Sequence, residues 1–148
     1  MPAEGGEARR LTYHSAGDIP WTFTPDGSAI LFSSTRLDAV DVMDIPNRRI
    51  GELYEVPLEG GQPKMVLTTP AERVAFSADG KSFLYQDKKG YEDPWRKHHE
   101  SSVTRDLWRY DLSDKSHTKL TDYAGEDLSL IHISSPRDQR GSRMPSSA

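Results

Sequence analysis

The sequence predicts an all-β fold, and three recurring landmarks carry that prediction. An Asp-Gly pair between short apolar runs occurs in Phe23-Thr24-Pro25-Asp26-Gly27 and again in Phe76-Ser77-Ala78-Asp79-Gly80. A strand-like alternation occurs at Leu53-Tyr54-Glu55-Val56 and again at Leu107-Trp108-Arg109-Tyr110. A Leu-Thr pair closes each copy, at Leu11-Thr12, Leu67-Thr68 and Leu120-Thr121. Tandem antiparallel units of this length are the sequence mark of propeller blades. The expected architecture is a partial β-propeller of about two and a half four-stranded antiparallel blades. An open β-sandwich or a β-meander is the alternative.

Each element follows from local chemistry. Residues 1–18 read as the end of a truncated blade, its strands C and D, because Glu4-Gly5-Gly6 returns as Glu59-Gly60-Gly61 in the next copy. Met1 therefore reads as an internal methionine. Residues 19–69 form a blade. Gly after Asp supplies a positive φ and Asp bonds its own backbone, so Asp26-Gly27 joins strands Trp21–Thr24 and Ile30–Ser34. The alternating run Glu52–Leu58 is strand C, and Gly60-Gly61 turns the chain into Lys64–Thr68. Residues 70–127 repeat the blade: Arg73–Ser77, Phe83–Gln86, Asp106–Leu112 and Thr118–Thr121, with a long insertion between strands B and C.

Residues 128–148 break the pattern. Leu-Ser-Leu-Ile-His-Ile at 128–133 and Ser-Arg-Met-Pro-Ser-Ser-Ala at 142–148 read as translated sequencing-adapter codons in their usual order. This tail is expected to be non-native and disordered, and is set aside from fold and function.

Composition narrows the function classes. A formal net charge of −4 gives no reason to expect nucleic acid or an anionic membrane as a partner. No apolar run reaches the length of a membrane span, and no cationic-then-apolar leader opens the chain. The absence of cysteine removes disulfide and thiol chemistry. Gly5-Gly6 and Gly60-Gly61 are turn glycines, with no helix pattern after them to make a phosphate loop. Ser33-Ser34 and Ser101-Ser102 lack the strand–turn–helix setting of a nucleophile.

Phe76–Tyr85 and Leu53–Gly61 resemble the blade repeats shared by TolB and the tricorn proteases. The insertion Gly90–Trp108 is more specific, and is similar to a segment in the N-terminal propeller of bacterial tricorn-like peptidases. This resemblance implies a parent enzyme in which the propeller precedes a PDZ-type domain and a serine peptidase domain. It implies that the propeller admits or orients peptides and does not cut them, so no catalytic residue is expected here. It also implies an exported setting, periplasmic or secreted, with the cytoplasm as the alternative. Two rival readings stand beside it: a TolB-like protein–protein scaffold, and a propeller attached to another hydrolase of amidohydrolase or prolyl-oligopeptidase type.

In an up-and-down blade the B–C and D–A connections share one end. The B–C connections Thr35–Gly51 and Asp87–Arg105 are long, which marks functional or disordered loops. Their end is the candidate contact surface for a peptide or for adjacent domains of the parent chain. Trp95 offers a flat apolar contact, with Arg96 and Lys97 beside it for a carboxylate. Arg48 and Arg49 charge the tip of the first connection. A structural loop with Trp95 packed inward is the competing reading. His98 and His99 are hydrogen-bonding or solvent-facing candidates, because adjacent residues of an extended chain point apart and zinc needs three or four convergent ligands. Neither metal nor cofactor is expected.

Overall fold

The computed structural model describes residues 5–38, 50–90 and 103–122. Within them the chain forms two four-stranded antiparallel sheets. The first contains β1 (Asp18–Phe23), β2 (Ala29–Ser34), β3 (Glu52–Pro57) and β4 (Lys64–Leu67), in that spatial order. The second contains β5 (Ala71–Phe76), β6 (Ser82–Asp87), β7 (Leu107–Asp111) and β8 (His117–Lys119), again in sequence order. No helix occurs among the described residues. Two consecutive up-and-down sheets of four strands are two blades of a partial propeller.

The two A–B turns are built alike. Thr24 Oγ1 donates to Asp26 Oδ1 at 2.6 Å, and Ser77 Oγ donates to Asp79 Oδ1 at 2.6 Å. Gly27 N donates to Thr24 O at 2.8 Å, and Gly80 N donates to Ser77 O at 2.9 Å. The glycines sit at φ 69° and 67°, where a Cβ is disfavoured. Both A strands also carry a bulge at the same place, between Pro20 and Thr22 in β1 and between Glu72 and Ala75 in β5. The bulge in β5 holds Arg73 at φ 52°.

The main core lies between the sheets. Leu31, Leu53 and Leu67 from the first sheet meet Ala71, Val74, Phe83, Tyr85 and Tyr110 from the second. Phe83 and Tyr110 have ring centroids 5.1 Å apart, and Phe76 meets Phe83 edge-on. These ring contacts lie within the second sheet, and the cluster as a whole joins the two sheets, which is how blades stabilise one another.

The half blade expected at residues 1–18 is not seen as strands: residues 5–17 form none. A strand needs a ladder partner, and no described strand lies beside this segment. Its packing nonetheless follows the repeat. Leu11 packs against Phe32, Tyr54 and Val56 on the outer face of the first sheet. Its repeat counterpart Leu67 lies in the cluster with Tyr85 and Tyr110, the counterparts of Phe32 and Val56. Leu11 therefore sits where the last strand of a preceding blade would sit.

Candidate functional site

The ends of β2 and β6 and the starts of β3 and β7 lie on one edge, so both long connections leave the blades together. Ion pairs centred on Asp18, Glu72, Asp87 and Asp106 gather at this edge.

In the first blade Arg36 is the central group. Its Nη2 donates to Asp18 Oδ1 at 2.8 Å and its Nε to Ser34 Oγ at 3.2 Å. The guanidinium carbon lies 4.9 Å from the Phe32 ring centre and 4.8 Å from that of Tyr54. The two rings are stacked at 5.7 Å, so the cation covers an aromatic pair while it neutralises a carboxylate. Burial pushes Asp18 up, but hydrogen bonds from Ser34, Thr12 and Arg36, with the charge of Arg36, outweigh it and leave the carboxyl below its ordinary value. Gly51 returns against β2 so closely that a Cβ there would fall 2.9 Å from the Ser34 backbone.

In the second blade the charges are denser. Lys89 Nζ lies 2.6 Å from Asp106 Oδ2 and 3.3 Å from Asp87 Oδ2. Lys119 Nζ reaches the same Asp106 oxygen at 3.1 Å. Asp87 also accepts from the Asp106 amide at 2.7 Å and from the Trp108 indole at 3.1 Å. Desolvation raises Asp106, yet the two lysines more than offset it and hold the carboxyl low. Lys89 is shifted the opposite way: burial lowers it, and Asp106 and Asp87 together hold it above the ordinary lysine value. Beside them Lys88 pairs with Glu72 at 2.7 Å, and Arg105 approaches Glu72 at 3.8 Å.

Between the blades at this edge is a small cleft of about 40 Å³, lined by Gly17, Ile19, Ser33, Thr35, Glu72 and Lys88 among others. It has room for a single water rather than for an organic ligand. Among the described residues this edge presents a surface of alternating charge.

A family model, the tricorn protease N-terminal beta propeller domain, matches residues 1–135. The chain belongs to that family. The tricorn-type propeller match ends within the segment 128–148, none of whose residues is described. No curated protein matches the chain.

The residues singled out from sequence lie outside the described residues: Arg48 and Arg49 fall in 39–49, and Trp95, Arg96, Lys97, His98 and His99 fall in 91–102. The described feet of both connections are what the structure adds to this tricorn-type propeller. Arg36, Lys88, Lys89, Arg105 and Asp106 were passed over in sequence because each stands at a strand end, where charge reads as ordinary loop polarity. The available signal was the run Asp87-Lys88-Lys89 matched by Arg105-Asp106 across the insertion.

Proposed function

We propose that this tricorn-type propeller segment orients or gates peptides for a serine peptidase and cuts nothing itself. The observation that supports the reading best is the shared edge: the described feet of the two long connections lie on a rim of ion-paired Arg36, Lys88, Lys89 and Arg105. Paired cations and carboxylates on a rim give weak, register-tolerant contacts, which suit a guide better than a tight receptor. The contacts would be made by Trp95, Arg96, Lys97, His98 and His99 on one connection and by Arg48 and Arg49 on the other, with peptide or a neighbouring domain as partner.

The test is a titration of the isotope-labelled chain with unstructured peptides, read at backbone amides. Saturable shifts confined to residues 35–38, 87–90 and 103–106 and to the two connections support the guide. Shifts absent there at millimolar peptide contradict it.

A further inference from the structure

The opposite end of the blades carries a different feature. Between the two Asp-Gly hairpins lies a cleft of about 370 Å³, within the range of roughly 300–1,000 Å³ typical of ligand sites. Its floor is apolar: Leu31, Val66, Phe76 and Phe83, with the exposed Leu112 at the rim. The A–B turns meet over it, because Gly80 packs against Pro25 so closely that a Cβ would lie 3.0 Å from the proline ring. Asp26 stands at the mouth, its carboxyl lowered to about 2 by hydrogen bonds from Thr24 and Ser28.

One group in this cleft is unexplained by the fold. Glu55 sits directly across from Leu31 on the face of β3 that turns toward the second sheet, and it is half-buried. No hydrogen bond or ion pair engages its carboxylate among the described residues. Lys64 stands across from it on β4, but is exposed and makes no ion pair with it. A carboxylate on an apolar wall loses hydration and gains nothing in return unless a cation arrives.

We propose that this cleft receives the side chain of a lysine or arginine from an extended peptide, its aliphatic stem along Val66, Phe76 and Leu112 and its charged head on Glu55. The proposal rests on the peptide-guiding reading and adds a preference for basic residues to it. Long cationic side chains bury their stems while the head stays at a polar group, and the cleft presents those two surfaces in that order. An anionic side chain would face both Glu55 and Asp26, and a purely apolar one would bury Glu55 without compensation.

The probes are acetyl-Ala-Lys-Ala-amide, its norleucine counterpart, which keeps the stem and drops the charge, and its glutamate counterpart. Each is titrated into the full chain and read at the methyl groups of Leu31 and Val66. The lysine peptide should bind about tenfold or more tightly than the norleucine peptide. Glu55→Gln should bring the lysine peptide down to the norleucine level. Leu112→Ser, at an exposed rim position, should weaken both peptides alike. Equal affinity of the lysine and norleucine peptides, indifference to Glu55→Gln in a variant whose spectrum otherwise superimposes, or no shift in the cleft overturns the proposal. Shifts at Lys88, Lys89 and Arg105 without shifts in the cleft overturn it while leaving the guide reading intact; silence at both ends overturns both.

Discussion

The hydroxyl of Ser33, on β2, donates to the main-chain oxygen of Ala71, on β5, at 2.5 Å, which ties one blade to the next by a buried hydrogen bond. Ser33 also accepts from the Trp21 indole at 2.6 Å, where the bulge in β1 turns that side chain inward. Removing the hydroxyl leaves a buried carbonyl and an indole N–H without this partner. Ser33→Ala is therefore expected to lower stability by about 2 kcal/mol, measured by urea denaturation followed through tryptophan fluorescence. An effect within experimental error would mean that the inter-blade bond is not made.

Two glycines with the same φ separate turn geometry from blade contact. A Cβ at Gly27 meets nothing within 4 Å, so Gly27→Ala bears only the conformational cost of φ 69°, about 1 kcal/mol. Gly80→Ala bears the same cost at φ 67° and also drives a methyl toward Pro25 of the other blade. Parallel chemical denaturation should rank Gly80→Ala as the more destabilised. Equal losses would show that the two turns do not touch.

Arg36 combines an ion pair with an aromatic platform, and both partners are largely shielded, with side-chain exposures of 12% and 18%. Arg36→Met keeps apolar contact with Phe32 and Tyr54 but leaves Asp18 without its cation, and should cost about 2 kcal/mol. The acid response follows from the sign of the shifts. Asp18 and Asp106 are lower in the folded state than their ordinary 3.8, so their contribution is complete above that value and is lost as pH falls through the folded-state pKa values. Stability measured from pH 6 downward should begin to fall near pH 4, and the slope should be smaller in Arg36→Met. An unchanged slope would mean that Arg36 does not help to hold the Asp18 carboxyl low.

Tyr85 contributes to the alkaline side, beside Tyr54 and Lys89, which are also held above their ordinary values. Burial, helped by the negative charge of Asp87, pushes the Tyr85 phenol up to about 12. The folded-state pKa is raised, so its contribution is intact below the unfolded value near 10 and is lost between pH 10 and 12. Tyr85 also bonds His117 Nδ1 at 2.8 Å, which joins β6 to the outermost strand. Tyr85→Phe should lower stability at neutral pH by about 1 kcal/mol and flatten the loss above pH 10 in equilibrium unfolding. A wild-type alkaline limb as steep in the variant would contradict this.

The strands and turns were legible because their signals are local. Asp26-Gly27 and Asp79-Gly80 specify their hairpins through one positive φ and one carboxylate each. Which face of each sheet joins the blades was not legible. Ile30-Leu31-Phe32 is apolar on both faces, as a blade between two neighbours must be, so period-two alternation gives no inside and outside. For the half blade, the repeat signature places Leu11 against the first sheet, and the described residues hold no ladder partner for its segment. The charged rim escaped for a related reason: Arg36 and Asp18 are eighteen positions apart, and only the antiparallel pairing of β1 with β2 brings them together. Glu55 looked like the polar half of an alternating strand, and only the second sheet makes its face an interior one.

The central claim is that the two hairpins belong to separate sheets stacked face to face as successive blades. It is tested most directly by long-range nuclear Overhauser effects in the isotope-labelled chain. The account predicts cross-peaks from the methyls of Leu31, Leu53 and Leu67 to the rings of Phe83, Tyr85 and Tyr110, with no backbone ladder linking β4 to any strand of the second sheet. Amide-to-amide and Hα-to-Hα contacts running continuously from β1–β4 into β5–β8, with those ring contacts missing, would contradict it.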